Sequence, residues 1–297
     1  MKLESRQLRY FVAVAEELHF GRAAERLNMS QPPLSQQIRQ LEQQLQSRLF
    51  ERSQRSVRLT SAGELLLAQA HGILSRLDVT AELVQAAVRG EAGLLRLGYT
   101  AASAYGLVPT LIRAYKQRYP AVEVILHEML SREQVVELSQ KRLDVGLVRP
   151  LATRPELETR PLMAEPLILA LPAHHPLASC DIVRVQQLDG LALIGFTAES
   201  ASYFHDMVSA MLMAAGIRPV IVQRATQPHT VISLVASGLG VAIVPQASAR
   251  IHMEGVVYRP LPAGETPQAE IHLCWRQDRL TPLVQSFLST AQEVMAS

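Results

Sequence analysis

Side chains able to read base pairs are concentrated in one short stretch, SQPPLSQQIR, at residues 30–39. Gln31 can offer both its amide groups to an adenine edge, and the Pro32 ring can contact a thymine methyl group. Ser35 and Gln36 follow about one helical turn later. Residues of these types read DNA when a helix carries them into the major groove. The stretch therefore indicates recognition of double-stranded DNA.

Two short helices separated by a tight turn would position these side chains. Asn28 and Met29 form the turn, and Ser30 is suited to cap the second helix, where its hydroxyl can accept a backbone N–H. Pro32 and Pro33 fall in the first turn of that helix, where no intrahelical hydrogen bond is lost. Apolar stripes at helical spacing let the two helices pack together. These stripes are Ala23, Ala24 and Leu27 on the first helix, and Leu34, Ile38, Leu41 and Leu45 on the second.

Flanking segments complete the pattern of a winged helix-turn-helix. An apolar helical face precedes it, and residues 49–60 predict two short strands around a basic tip, in which Arg52 and Arg55 could reach a phosphate or the minor groove. The alternative is a small helical subdomain with an exposed charged hairpin. The preceding face consists of Leu8, Phe11, Val12, Val14, Ala15 and Leu18. The predicted DNA contacts are Ser30, Gln31, Pro32, Pro33, Ser35, Gln36, Arg39, Arg52 and Arg55.

These residues resemble the winged helix-turn-helix of the LysR-type transcriptional regulators. The family's base contacts correspond to Gln31, Pro32, Ser35 and Gln36, whereas Ser30, Arg39, Arg52 and Arg55 would meet the DNA backbone. Many members carry arginine in place of Gln36, so we expect adenine rather than guanine there. For Arg39 a solvated helix face is the alternative. The matching signature is Leu8-Arg9-Tyr10-Phe11, Phe20, Ala23-Ala24, Leu27, Ser30-Gln31-Pro32, Ser35, Ile38, Leu41-Glu42, Leu49-Phe50-Glu51-Arg52 and Leu59-Thr60-Ser61-Ala62-Gly63.

Charge and composition agree with a DNA-binding head on a globular body. The net charge is only +2, but residues 1–60 carry ten basic against six acidic side chains, so the head has +4 and the remainder −2. A basic surface confined to one end is an electrostatic footprint for nucleic acid, although chance asymmetry is the alternative. No apolar run reaches the roughly 18 residues of a membrane span, and the first residues lack a signal peptide. We expect a cytoplasmic protein with no membrane partner.

A long helix follows the head, from Ala62 to about Arg89, and Gly90 and Gly93 end it. Its apolar positions follow a heptad spacing for about three repeats, with Thr80 in the one non-apolar place. The resemblance implies a linker helix that pairs subunits, and the alternative is a helix packed on its own domain. The predicted dimerisation residues are Leu66, Ala70, Ile73, Leu77 and Val84.

Beyond Gly93, strand-like segments alternate with helical ones, which predicts a parallel sheet covered by helices. The resemblance implies two α/β lobes of the periplasmic-binding-protein type around a cleft. The predicted domains are 1–60 (winged helix-turn-helix), 61–90 (linker helix) and 91–297 (effector-binding), with lobe I at about 91–163 and 267–297 and lobe II at about 164–266. The predicted strands are 94–99, 122–127, 144–148, 167–171, 192–196, 220–224, 241–244 and 269–275. The predicted helices are 107–118, 132–140, 203–215, 231–237 and 282–294. Glycines at 236–240 follow a helix, so they indicate its end and not a nucleotide loop.

Strand ends that face helix starts should supply the ligand site, because free N–H groups and the helix dipole favour an anion there. Hydroxyls, an aromatic wall and one or two cations suit a small organic carboxylate, while each hydroxyl could instead cap a helix. The resemblance points most to members that sense aromatic acids. The predicted effector-binding residues are Thr100, Ala102, Ser103, Ser131, Arg149, Phe196, Thr197, Ser200, Ser202, Tyr203, Thr226, Gln227 and His229.

Catalytic and metal-binding patterns are missing from the sequence. There is no G-x-S-x-G, H-E-x-x-H or P-loop motif, and Cys180 and Cys274 lack metal-ligand spacing. We therefore expect no enzyme activity, metal or cofactor. A redox pair of cysteines, a solute-binding transport protein and a DNA-tethered enzyme remain the alternatives. The favoured function is a DNA-binding regulator controlled by a small molecule. The resemblance implies a dimer of dimers, and RNA polymerase is a further candidate partner.

Overall fold

The computed structural model describes residues 3–52, 56–152, 154–199, 201–264 and 266–296. The chain is divided into two compact units, residues 1–85 and residues 86–297. The first unit contains the helices and the hairpin of the head and most of a long helix. Its elements are α1 (Ser5–Glu17), α2 (Phe20–Arg26), α3 (Gln31–Gln44), β1 (Phe50–Arg52), β2 (Val57–Leu59) and α4 (Ser61–Val88).

The head has the predicted helix-turn-helix. Asn28 takes a left-handed conformation (φ 53°) in the turn between α2 and α3, and both apolar stripes enter one core with α1. Two predictions need correction. Leu18 does not join the apolar face, because it caps α1 with φ 47° and remains exposed. Ser30 stands at the N-cap of α3 in extended backbone, but its hydroxyl makes no capping hydrogen bond.

The close packing around Gly63 gives a structural reason for the glycine that ends the signature, Leu59-Thr60-Ser61-Ala62-Gly63. It lies in the first turn of α4, where a Cβ atom would come 2.2 Å from the Leu49 carbonyl oxygen. Thr60 supports this contact, since its Oγ1 donates to the Arg48 carbonyl oxygen and accepts the Gly63 N–H. The absence of a side chain at residue 63 lets α4 begin directly against the segment that enters the wing.

We expect Gly63→Ala to destabilise the head by about 1–3 kcal/mol, as overpacking does, although alanine is the better helix former. Gly72 in the same helix is a matched control, because a Cβ atom added to it would have nothing within 4 Å. Gly72→Ala should stabilise the helix by up to about 1 kcal/mol. Thermal unfolding of both variants measures the difference, and equal shifts would contradict the role of the close contact.

The predicted subunit-pairing seam on α4 is divided in the structure. Ala70 is fully buried in the core of the head, and Leu66 packs against the same core, so these two side chains are used within the chain's own domain. By contrast, Ile73, Leu77 and Val84 are 43%, 45% and 61% exposed. The assignment of Ala70 to a dimer interface is therefore corrected, while Leu66 is only partly buried and its assignment, like that of the other three side chains, stays a prediction.

The second unit alternates strands and helices as predicted. The sequence did not predict the 3-10 turns at Pro176–Ser179, Val185–Leu188, Gln246–Arg250 and Gln277–Arg279. Its strands are β3 (Ala92–Tyr99), β4 (Ala121–Glu128), β5 (Val145–Val148), β6 (Leu157–Pro172), β7 (Ala192–Phe196), β8 (Val220–Ala225), β9 (Ala242–Pro245), β10 (Val256–Pro260) and β11 (Gln268–Arg276). Its helices are α5 (Ala101–Ala104), α6 (Leu107–Arg118), α7 (Ser131–Ser139), α8 (Ser202–Ala214), α9 (Pro228–Ala236) and α10 (Pro282–Ala296). After α9, Gly238 (φ 80°) makes the predicted turn.

The sheet is mixed, which corrects the prediction of parallel strands. β3 pairs in parallel with β4 and β5, but β11 runs antiparallel between β5 and β6. β6 continues through both lobes: residues 157–166 pair with β11 in lobe I, and residues 167–172 pair with β9 and β10 in lobe II. β10 and the first half of β6 were not predicted from the sequence.

Separate apolar cores fill the two lobes. The lobe I core lies around Trp275 and Phe287, and the lobe II core surrounds β6, β7 and β9. Among the residues described, no helix is both long and apolar enough to cross a membrane. The two cores and the strands shared between them hold the ends of β3, β5 and β7 facing one cleft.

Candidate functional site

The start of α3 presents the predicted DNA-reading side chains to solvent. Gln31, Pro32, Pro33, Gln36 and Arg39 are exposed, as is Ser30, and Ser35 is half-buried. The opposite face of α3 holds Leu34, Ile38 and Leu41 in the core. None of the polar side chains of this surface forms a hydrogen bond with a described residue, so their donors and acceptors are available to a base edge or a phosphate.

Arg52 has a different environment from the one predicted. Its Nη2 atom lies 2.8 Å from Glu42 Oε2, and its guanidinium stands over the Phe20 ring at 4.8 Å. Glu42 Oε1 also accepts the backbone N–H groups of Leu49 and Phe50. This network fastens the wing to α3, so Arg52 is better explained as a residue that holds the wing than as a free phosphate contact. Arg55 lies outside the described residues.

A cavity of about 740 Å³ lies between the two lobes. Lobe I contributes the start of α5, the start of α7 and the residues after β5, whereas lobe II contributes the start of α8 and the residues before and at the start of α9. Eight predicted effector residues line it: Thr100, Ala102, Ser131, Arg149, Ser202, Tyr203, Thr226 and Gln227. The strand ends and helix starts therefore do converge on one cleft.

Four other predicted residues stand behind or beside this wall. Ser103 is buried and bonds Thr100, Phe196 stacks beneath Phe204, and Thr197 bonds Thr226 through the two hydroxyls at 3.2 Å. His229 Nδ1 lies 3.2 Å from Tyr105 Oη. These four side chains do not line the cavity, which corrects a direct role for them in this geometry. Ser200 is one of the residues that the structure does not describe.

The hydroxyl groups of the wall bond other side chains or strand backbone rather than capping helices. Thr100 stands at the N-cap of α5 without a capping bond from its side chain, and Ser131 Oγ accepts the N–H of Arg149. Tyr203 Oη accepts the N–H of Glu270, and burial raises the pKa of Tyr203. The alternative that these residues are mere helix caps is thus not supported for Thr100.

Arg149 lines the cavity and also forms a buried ion pair. It is 4% exposed, and its Nη2 atom lies 3.2 Å from Glu165 Oε1 while Nη1 donates to the Glu270 carbonyl oxygen. Burial lowers the pKa of Arg149, and the Glu165 carboxylate opposes that shift. Glu165 Oε2 also accepts the Ala247 N–H from lobe II. The pair therefore joins lobe I to lobe II beside the cavity.

Sequence reasoning missed two charged residues of the wall, Arg132 and Asp206. Arg132 crosses the cleft from lobe I and donates to the Glu199 carbonyl oxygen at 3.2 Å and to Ser202 Oγ at 3.0 Å. Asp206 follows Ser202 by one turn of α8. Helical spacing from the predicted Ser202 could have indicated Asp206, because positions i and i+4 of a helix share a surface.

The two cysteines do not form a redox pair in this structure. Both are free, and Cys274 is fully buried. Burial raises the pKa of Cys274 to about 12, and a protonated buried thiol is a poor nucleophile. Within the described ranges, no group of three or more His, Cys, Asp or Glu side chains could hold a metal ion.

Two family models match separate parts of the chain. A family model for "LysR substrate binding domain" matches residues 89–296, and one for "Bacterial regulatory helix-turn-helix protein, lysR family" matches residues 5–64. The HTH-type transcriptional regulator AlsR of Bacillus subtilis (strain 168) is 37% identical over 286 residues, which are 96% of this chain and 94% of that protein.

Solved structures agree across the whole chain. The crystal structure of CbnR, a LysR family transcriptional regulator, is 30% identical, covers 97% of this chain and 100% of its own, and has a TM-score of 0.83. Full-length CbnR complexed with its target DNA has a TM-score of 0.80 at 29% identity, with 99% of this chain and all of that one covered. The head and the two-lobed domain thus occur together in a protein crystallised on DNA.

Proposed function

The chain belongs to the LysR family of DNA-binding transcriptional regulators with an effector-binding domain, and on that premise we propose that a small organic carboxylate in the inter-lobe cavity controls it. The observation that carries this proposal is the wall itself. Hydroxyls, the start of α7 and the guanidinium of Arg132 face one space of about 740 Å³, which is within the usual size range of a ligand pocket. Phe204, Tyr203 and Met207 add an apolar side that fits an aromatic or branched skeleton.

Control would act through the relative position of the lobes. Arg132 and Tyr105 of lobe I bond Ser202 and His229 of lobe II, so a ligand that displaces or adds to these contacts changes the balance between lobe arrangements. A ligand shifts such an equilibrium only through its different affinity for the two arrangements. The DNA-reading residues under this proposal are Gln31, Pro32, Ser35 and Gln36, with Ser30 and Arg39 at the phosphates.

A thermal-shift screen of the purified protein against small organic acids, including benzoate and cinnamate, tests the proposal. A ligand at about 100 times its dissociation constant stabilises the fold by about 2.7 kcal/mol. Thr226→Val and Thr197→Val form a matched pair, because each breaks the same hydroxyl–hydroxyl bond and Thr226 alone of the two lines the cavity. We expect Thr226→Val to reduce the ligand-induced shift and Thr197→Val to retain it. No stabilisation by any acid would overturn the proposed ligand class.

We further propose that two copies of the chain pair through the exposed side of α4. The exposed apolar side chains Ile73, Leu77 and Val84 are spaced by four and seven residues, with Thr80 between the last two, as in a coiled-coil seam. Val88 continues the same side and is 73% exposed. An apolar stripe of this length on a soluble helix is stabilised when it is covered by another copy.

Leu77→Glu should reduce the number of 32.8 kDa chains in the assembly, because it places a charge in the apolar seam and separates the copies that pair through α4. Light scattering coupled to size-exclusion chromatography measures the mass. Gln85→Glu is the control, since Gln85 is also exposed on α4 and gains the same charge. An unchanged mass for Leu77→Glu, with circular dichroism showing an intact helix, would contradict pairing through this seam.

A further inference from the structure

Charges on the cavity wall distinguish between classes of acid. Among the described residues that line the cavity, the charged ones are Arg132, Arg149 and Asp206. Arg149 is paired with Glu165 in the interior, so its charge is already compensated. Arg132 donates to a carbonyl oxygen and a hydroxyl, which are neutral acceptors. One positive charge therefore faces the cavity without a carboxylate partner.

Asp206 is the opposite case. Its carboxylate is exposed at the cavity wall and forms no hydrogen bond or ion pair with a described residue. A ligand that carried a carboxylate alone would bring a second negative charge towards this side chain, and like charges repel. A site built for a simple monoanion gains nothing from an acid at this position.

Helical geometry places Asp206 on the same face of α8 as Ser202, the residue that Arg132 contacts. Arg132 is held at Ser202, and Asp206 lies four residues further along α8, which places it on the same face about 6 Å away along the helix axis. Met207 of this helix and Val135 of α7 in lobe I also line the cavity. A short apolar skeleton could therefore span the wall between a cationic end and an anionic end.

We propose that the cavity selects a zwitterion, namely a small organic acid whose carboxylate meets Arg132 at the start of α7 and whose protonated amine meets Asp206. The inference rests on the proposed function, because it concerns the same cavity, and it narrows the ligand from organic acids in general to amino acids and aminoaryl acids. Charge-assisted hydrogen bonds at both ends would fix the orientation of the ligand. Arg132 then exchanges its contacts with lobe II for the ligand carboxylate.

Paired probes that differ by one amine test the inference on the full-length protein. The first pair is 3-(aminomethyl)benzoate and 3-ethylbenzoate, and the second is L-phenylalanine and 3-phenylpropanoate. Dissociation constants from calorimetry or thermal shift should favour the amine-bearing member of at least one pair. Asp206→Asn should weaken that member about three- to tenfold and leave the amine-free member as tight or tighter.

Two further variants show which charged side chain is responsible for the binding of the amine and which for the binding of the carboxylate. Asp181→Asn removes an exposed lobe II acid that does not line the cavity, so it should preserve the preference for the amine. Arg132→Gln should weaken both members of the pair, because both carry the carboxylate. The proposal of a zwitterionic ligand would be overturned if amine-free acids bound as well as their partners, or if Asp206→Asn kept the preference for the amine. Either result would still agree with the proposal that the cavity binds a carboxylate. Absence of binding by all four probes would overturn the zwitterion as well, and the wider acid screen then decides the proposed function separately.

Discussion

Glu165→Leu should lower the free energy of unfolding of the effector domain by about 3–5 kcal/mol, because removal of one partner leaves a buried charge uncompensated. Glu165 and Arg149 are 5% and 4% exposed. Loss of the Glu165 carboxylate also removes the acceptor of the Ala247 N–H. Denaturant unfolding can be followed through Trp275, the single tryptophan of the chain, which is buried in lobe I.

The matched comparisons separate charge from packing. Arg149→Met combined with Glu165→Leu should recover much of the lost stability, since no buried charge then remains. Arg118→Met breaks the ion pair between Arg118 and Glu293, whose side chains are 53% and 60% exposed, and should change the stability little, because water screens exposed ion pairs. A double variant as unstable as Glu165→Leu alone would show that the buried charge is not the cause.

Gln31→Ala should lower the affinity for the operator by about 1–3 kcal/mol, the usual contribution of a bidentate contact to a base. Binding to unrelated DNA should change little, because nonspecific affinity depends mainly on phosphate contacts. Mobility-shift titrations with operator and scrambled duplexes measure both quantities. Gln44→Ala is the control, since Gln44 is equally exposed at the far end of α3. An unchanged operator preference for Gln31→Ala would contradict base reading by Gln31.

Arg39 provides the contrasting behaviour. If Arg39 contacts a phosphate, Arg39→Ala should weaken binding to the operator and to the scrambled duplex alike. The slope of log affinity against log salt should then fall by about 1. A change confined to the operator would instead assign Arg39 to a base, and no change with either duplex would leave it as a solvated helix residue.

Local signals in the sequence predicted the head and most of the α/β elements. Helix starts, proline positions and apolar spacing depend on neighbours within one or two turns, and α6 and β7 have the bounds that these signals predicted. The sequence predicted a strand only from Leu167, and the earlier part of β6 contains Pro161 and Pro166, a residue type that is rare inside sheets. Both prolines nevertheless lie within β6 and pair with β11, and the register of this pairing shifts next to Pro161.

Long-range partners account for what the sequence could not reveal. Arg149 has the residue type of a ligand cation, but its partner Glu165 and the Glu270 carbonyl become neighbours through the crossing strands. Arg52 likewise resembles a phosphate contact until Glu42 and Phe20 are placed beside it. Charged residue types thus indicated where function could lie, whereas the pairing that decides each role depends on the fold.

The position of β11 has a consequence for the synthesis of the protein. β11 lies in the middle of the lobe I sheet, between β5 and β6, yet roughly a hundred residues separate it from the end of β6. At the usual rates of translation these residues take on the order of 5–20 s to make. Throughout that interval β5 and β6 lack their shared neighbour, and unpaired strand edges are prone to aggregation. The growing chain therefore exposes these two strand edges until residues 268–276 leave the ribosome, long after the residues of the head have been made.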